Sequence, residues 1–374
     1  MMQRFFKGVD WSILFAVIPL LLAGMTTMVS FGSRASIFDK QLLWVLVGIL
    51  IAIVISKIDI RFLRDSRYVI ISYIISLGLL VLVLILGKTV KGAKSWFDFG
   101  GFSFQPTDIV KLLVITVLAK YFSRRHIAIA QFKHLFISAV YALVPIGLIL
   151  LQPDFGSAMI VALLWLGMAL VAGISRKHIL IVLGVLVVVF SISWGFLFKP
   201  YQKDRIISFI NPTSDIRGSG YNAYQSVIAV GSGGVIGKGL GYGTQSRLNF
   251  LPEYQTDFVF AAFSEEWGFI GSILVLFCFG FLFWRLKIHA SNGASNFETL
   301  FCVGYMLLLF GHIIVNIGMN IGIMPVTGIP LPFMSYGGSH LLGEFIGLGI
   351  ILSMTRYERA MNRADIDNEF VGYA

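Results

Sequence analysis

WSILFAVIPLLLAGMTTMVS (residues 11–30) and RYVIISYIISLGLLVLVLILG (residues 67–87) decide the architecture. A helix needs about 20 consecutive apolar residues to cross a bilayer, and each stretch supplies them. The first holds no charge, and the second holds only Arg67, at its edge. Working outward, similar runs place spans near 10–30, 41–56, 67–87, 106–122, 134–151, 155–174, 178–199, 257–284, 297–323 and 338–355. Composition agrees. Of 374 residues, 57% are hydrophobic and 13% charged, where a soluble domain carries roughly 25% charged residues. There is too little polar surface to cover a water-facing globule, which excludes a soluble enzyme or binding module. The expectation is an all-α integral membrane protein of about ten transmembrane helices, forming one polytopic domain over residues 1–374.

Residues 1–10 are basic and aromatic and lead into a run too long for a signal-peptide core, so an uncleaved first span is expected. Cys278 and Cys302 both sit inside apolar runs, where they read as small core residues rather than disulfide partners or metal ligands. Basic residues gather in cytoplasmic connections of membrane proteins. With the N-terminus inside, sixteen Lys and Arg fall on the cytoplasmic side, from Arg4 and Lys7 through Arg125 to Arg363. The short outer loops hold five: Arg34, Lys40, Lys88, Lys91 and Lys94. Both termini are therefore expected in the cytoplasm. The same bias explains the net charge of +10 without a nucleic-acid partner.

That orientation puts the longest connection, residues 200–256, outside, as a large extracytoplasmic loop between spans seven and eight. Loops of this length in compact proteins are usually functional or disordered. The last outer loop, 325–338, holds Pro325, Pro330 and Pro332 among apolar residues. It cannot be a helix, and apolar irregular backbone must pack against protein or line a cavity. A structured re-entrant loop is expected.

Ionisable residues within spans cost about 2.5–3.5 kcal/mol each on insertion scales, so each needs a reason. Asp108 and Lys111 lie on one helical face, as a self-contained ion pair or as the charged wall of a cavity open to the outside. Asp257 follows Thr256 at the start of span eight, where it complements a helix N-terminus or does chemistry. Glu265 and Glu266 would lie about 12–13 Å deeper on a straight helix, holding the bundle together. Asp154, in Gln152-Pro153-Asp154-Phe155-Gly156, marks a tight turn or a cap. The run Gly231 to Gly239 fails as a phosphate loop, having Ser232 where Gly is needed and Gly239 where Ser or Thr is needed, so no nucleotide is expected. Among the histidines, His126, His134, His178 and His289 flank cytoplasmic ends, and His312 and His340 are scattered. Acids and bases thus converge on the outer leaflet: Asp108, Lys111, Asp154, Arg205, Lys238 and Asp257. A carboxylate among cations there fits a general base acting on an anionic lipid head group, and fits equally a transporter's ion or proton site. Composition leaves both open.

An ordered set of motifs goes further. It begins with Lys91-Gly92-Ala93 through Trp96 to Gln105-Pro106-Thr107-Asp108 and Lys111. Gln152 to Gly156, Arg205-Ile206 with Asn211-Pro212, and Gly220-Tyr221 with Gln225-Ser226 come next. Gly231 to Gly239, Gly243-Thr244-Gln245, Leu251-Pro252-Glu253 and Thr256-Asp257-Phe258 follow. Glu265-Glu266, Asn316-Ile317-Gly318-Met319, Pro325 to Phe333 and Ser335-Tyr336-Gly337-Gly338-Ser339 complete it. The set resembles the SEDS family (shape, elongation, division and sporulation), on its elongation side. The resemblance implies polymerisation of peptidoglycan glycan strands from lipid II at the outer face of the bacterial plasma membrane. It implies that Asp257 is the general base, deprotonating the GlcNAc 4-hydroxyl as it attacks the anomeric carbon of MurNAc. Undecaprenyl pyrophosphate leaves, and the α linkage inverts to β-1,4. Lys111, Arg205 and Lys238, with a divalent cation (Mg or Mn), are expected to steady the leaving pyrophosphate. Asp108, Asp154, Glu253 and Ser335 complete the expected substrate-binding set. The implied partners are lipid II, the nascent glycan strand, membrane lipids and a class B penicillin-binding protein.

Three departures stand out: Asp108 where the family usually has Glu, Gln255 where it usually has His, and His340 where a small residue is common. The rival readings are a lipid II flippase and a non-catalytic scaffold. A flippase needs a polar path to the cytoplasmic leaflet, yet only Glu265, Glu266 and Lys120 lie deeper.

Overall fold

The computed structural model describes residues 10–29, 35–90, 92–98, 100, 102–124, 131–198, 200–211, 220–248 and 250–371. Arg4, Lys7, Arg34, Lys91, Arg125, His126 and Pro212 lie outside the described residues. Helices α1 (Trp11–Val29), α2 (Ala35–Ile55) and α3 (Ser66–Leu86) precede three short strands, β1 (Lys88–Val90), β2 (Ala93–Asp98) and β3 (Ser103–Phe104). Then come α4 (Pro106–Ser123), α5 (Phe132–Leu151), α6 (Phe155–Val171) and α7 (Arg176–Ile192). Helices α8 (Pro200–Ile210), α9 (Tyr221–Ser232) and α10 (Thr244–Arg247) occupy the long connection to α11 (Val259–Ser291). Helices α12 (Asn296–Asn320) and α13 (Gly338–Val371) follow.

Among the described residues, seven helices are long and apolar enough to cross a membrane: α1, α2, α3, α5, α7, α11 and α12. Helix α6 and residues 338–354 of α13 are apolar but shorter. Helix α4 is different. It carries Asp108, Lys111 and Lys120, and thirteen of its eighteen residues are buried. It packs against α3, α5, α6, α12 and α13, so its polar groups face protein. By contrast, α7 has no buried residue, and its apolar surface suits lipid.

The strands form a small antiparallel sheet ordered β1-β2-β3, pairing Lys88 with Trp96 and Phe97 with Phe104. An all-α reading misses it, because its strands are only two to six residues long. The sheet is tied to the bundle where Lys94 N donates to Gln152 O at 3.1 Å, and the Trp44 ring of α2 lies tilted against Phe102, 4.7 Å between centroids. At the other end, Arg285 and His289 of α11 grip Asp10 at 2.8 and 3.1 Å, and Arg64 pairs with Glu298.

Helix α11 corrects the straight-helix expectation. At Gly268 the backbone turns to φ 67°, ψ −163°, separating a helix ending at Trp267 from one restarting at Phe269. Such a break orphans carbonyls on one side and N–H groups on the other. The Gly-rich run satisfies both. Lys238 N and Gly239 N each donate at 3.0 Å to Glu265 O and Glu266 O, while Gly234 O and Val235 O accept from Phe269 N and Ile270 N at 2.9 and 3.1 Å. Gly237, at φ 81°, lies so close to the Glu266 carbonyl that any Cβ would collide with it. Only glycine fits there.

The segment 325–337 is irregular and packed inside, with Ile329, Leu331, Phe333 and Met334 all buried. Gln41, buried on α2, holds it by donating to Ser335 O at 3.3 Å and accepting from Gly337 N at 3.5 Å. Helix α2 begins six residues before its expected start: the polar Ser36, Asp39 and Lys40 read as a loop but sit on the helix.

Candidate active site

A cavity of about 290 Å³ opens at the end of the bundle that carries the sheet. Its walls come from β2 (Trp96), the start of α4 (Asp108, Lys111), the turn into α6 (Asp154) and one face of α8 (Gln202, Arg205, Ile206). Glu253, Thr256 and Asp257 from the approach to α11, residues 325–330, and Tyr336, Gly337, Ser339 and His340 close it.

Asp257 is half-buried on the wall, two residues before α11 begins. Its backbone is held from beneath. The side chains of Asn316 and Asn320, one turn apart on α12, donate to Asp257 O at 2.9 and 3.1 Å. Asn316 also donates to Ile329 O at 2.8 Å, and Asn320 accepts the Ala261 N–H at 3.0 Å. The two amides thus join α11, α12 and the 325–337 segment around the acid. A Cβ on Gly328 would stand 3.6 Å from Asp257 Oδ2, so this segment runs alongside the carboxylate. Thr256 Oγ1 donates to Glu253 Oε2 at 2.9 Å. Tyr336 lines the cavity, and burial pushes its phenol above the usual tyrosine range.

Asp154 does two jobs. It caps α6 by accepting the Ser157 N–H at 3.0 Å and also takes Gln105 Nε2 at 3.0 Å, while its side chain lines the cavity. Asp108 and Lys111 are buried at the floor, 3.3 Å apart. Arg205 reaches the wall from α8, whose neighbour Lys203 sits 5.8 Å over the Trp194 ring. One cavity therefore gathers carboxylates that can accept a proton and cations that can hold an anion. Among the described residues no three His, Cys, Asp or Glu side chains group as metal ligands. Mg²⁺ is commonly held by one or two carboxylates plus substrate phosphates, and the wall carboxylates fit a divalent cation in that shared mode.

A family model described as "Cell cycle protein", covering FtsW, RodA and SpoVE, matches residues 5–360. The chain belongs to the FtsW/RodA/SpoVE family. It is 36% identical over 334 residues to the peptidoglycan glycosyltransferase MrdB of Escherichia coli (strain K12), covering 89% of each chain. It is similar, with a TM-score of 0.83 and 31% identity, to a chain from a structure described as "Structural coordination of polymerization and crosslinking by a peptidoglycan synthase complex". That match covers 94% of this chain and 99% of the other. The rod shape determining protein RodA of Thermus thermophilus matches with a TM-score of 0.71 and 29% identity, over 94% of this chain and 98% of that one. With its apolar helices, this FtsW/RodA/SpoVE member is a multi-pass membrane protein.

Of the residues singled out from sequence in this FtsW/RodA/SpoVE chain, Asp257, Asp108, Lys111, Asp154, Arg205 and Glu253 line the cavity together. Two do not. Lys238 is drawn away to the buried Glu265, 2.7 Å from its Oε1 and 2.9 Å from Thr244 Oγ1. Glu265 also accepts from Thr244 and Gln245, so both residues clasp the connection between α7 and α11 and stand away from the cavity lining. Ser335 is buried behind the wall, donating to Thr256 O at 2.6 Å and accepting from Leu331 N at 2.8 Å. Sequence reasoning passed over Asn320 and Glu344, and named Asn316, His312 and His340 without giving them a place in the site. The signal was available as i,i+4 polar pairs inside apolar helices, Asn316 with Asn320 and His340 with Glu344.

Proposed function

We propose that this chain polymerises peptidoglycan glycan strands from lipid II during cell elongation, with Asp257 as general base. The names carried by its MrdB and RodA relatives support the activity and its branch. The observation that carries the chemistry is the gathering of Asp257 with Lys111 and Arg205 in one cavity. In this reading the Asp257 carboxylate takes the proton of the GlcNAc 4-hydroxyl as that oxygen bonds to the anomeric carbon of MurNAc. The bond from that carbon to the pyrophosphate oxygen breaks, the linkage inverts to β-1,4, and undecaprenyl pyrophosphate departs. A positioned base contributes roughly 10²–10⁴ in rate. Lys111 and Arg205 hold the charge that gathers on the leaving group. A divalent cation, Mg or Mn, would supply further charge neutralisation, with Glu253 or Asp154 as its protein ligand.

The ten helices α1 to α7 and α11 to α13 are assigned as spans of one polytopic domain, with both termini in the cytoplasm. Residues 200–256 then form the extracytoplasmic connection, which puts the cavity on the cell-wall side of the bacterial plasma membrane. The partner in this reading is a class B penicillin-binding protein, consistent with a structural relative drawn from a peptidoglycan synthase complex. The test supplies lipid II, Mg²⁺ and that transpeptidase to the purified chain in proteoliposomes. A ladder of glycan products is expected. Translocation of fluorescent lipid II without any ladder would favour a flippase instead.

A further inference from the structure

The cavity floor carries more charge than the proposed proton transfer uses. Asp108 and Lys111 on α4, His312 on α12, and His340 and Glu344 on α13 meet there among apolar neighbours. Asp108 Oδ1 lies 3.3 Å from Lys111 Nζ and 3.4 Å from His340 Nδ1, and its Oδ2 accepts from Ser339 Oγ at 3.2 Å. The other imidazole nitrogen, His340 Nε2, lies 3.0 Å from Glu344 Oε1, an ion-pair contact rather than an aligned hydrogen bond. Glu344 Oε2 accepts the Phe333 N–H at 3.0 Å, so that carboxylate is fixed in place.

Both ring nitrogens of His340 therefore face carboxylate oxygens. A neutral ring has one N–H and would set its lone pair against a carboxylate, whereas an imidazolium turns positive charge to both sides. His312 is the opposite case. Its Nε2 lies 3.4 Å from the Lys111 ammonium, which has donors only, so the ring accepts there and is neutral. Two carboxylates, Asp108 and Glu344, are thus balanced by two cations, Lys111 and His340. Asp108, Lys111, Ser339 and His340 also line the cavity, so this balance meets the substrate directly.

We propose that His340 is a positioning residue: clamped between Asp108 and Glu344, it shares the Asp108 charge and leaves the Lys111 ammonium available to the pyrophosphate of the lipid substrate. Without that cation, two buried carboxylates would face one ammonium. Lys111 would be drawn to them, and the floor would repel a phosphate. The inference rests on the reading of Lys111 as a pyrophosphate ligand.

The test compares His340→Gln with the double variant His340→Gln/Glu344→Gln, each purified at full length and assayed with its transpeptidase on titrated lipid II. His340→Gln is expected to raise KM for lipid II about tenfold or more while kcat changes much less, as loss of a charge-assisted contact to an anion does. The double variant removes the cation and the acid it balances, and should return KM to within about threefold of the parent. A structural role for His340 predicts the reverse, a double variant at least as impaired as the single one. That result, or an unchanged KM in His340→Gln, overturns the proposal. Should the single variant fail to fold, a folded double variant with near-parental KM still supports it, and an equally defective one refutes it. If the parent makes no glycan from lipid II, the functional reading fails, and binding of fluorescent lipid II decides the role of His340 separately.

Discussion

Asn316 and Asn320 place the candidate base without touching substrate. Their amides converge on the Asp257 carbonyl, and Asn316 also binds Ile329 O. Removing Asn316 takes the side-chain donor from the buried Ile329 carbonyl and one of two from the Asp257 carbonyl, at about 1–3 kcal/mol. If that loss falls on the geometry of the transition state, each 1.36 kcal/mol is tenfold in rate. Asn316→Ala should therefore lower kcat by roughly 10-fold to 100-fold, with a much smaller change in KM and with partner binding kept. Steady-state kinetics on lipid II checks it, and an unchanged kcat would refute the placement. The charged members of the site were legible because a charge in an apolar run demands a reason, which singled out Asp108, Lys111 and Asp257. The uncharged Asn316 and Asn320 raise no such alarm, and their role appears only when α12 is packed against the approach to α11. His340 and Asp108, read separately as departures from the family pattern, turn out to be neighbours 3.4 Å apart.

At the scale of elements, the break in α11 is the feature hydropathy conceals. Gly268 sits in an apolar stretch and reads as one more helical residue, so Glu265 and Glu266 seem to descend into the bilayer. Instead the helix stops, and the loop from Gly234 to Gly239 supplies donors to one end and acceptors to the other. Gly237→Ala tests this arrangement. The left-handed backbone alone costs a non-glycine residue about 1–3 kcal/mol, and the Glu266 carbonyl leaves no room for the methyl. The variant should unfold at a lower temperature in detergent, whereas Gly78→Ala, where a Cβ meets nothing within 4 Å, should not. Equal melting temperatures for the two would contradict the close packing. The small sheet escaped notice for a related reason: two to six residues are too few for an alternating pattern to stand out between apolar helices.

For the whole molecule, the seven long apolar helices were legible because about 20 apolar residues leave few alternatives. The buried helix α4 was recognisable as a helix despite its three charges, and its burial explains how the bundle tolerates them. Orientation rests on the asymmetry of Lys and Arg. Tyr242 is 69% exposed in the connection before α11, and Ile58 is 48% exposed between α2 and α3. A cysteine replacing Tyr242 should react with a membrane-impermeant maleimide added to intact cells. One replacing Ile58 should react only after permeabilisation, and the opposite pattern would invert the topology. Cys278 and Cys302 lie within α11 and α12 and should not interfere.

The most direct measurement is the polymerisation of purified lipid II by Asp257→Asn in complex with its transpeptidase. The amide keeps the size and the backbone anchors of the acid but cannot take up a proton. The account predicts a folded protein that still binds lipid II and its partner and yields no glycan ladder; a ladder at the parental rate would contradict it.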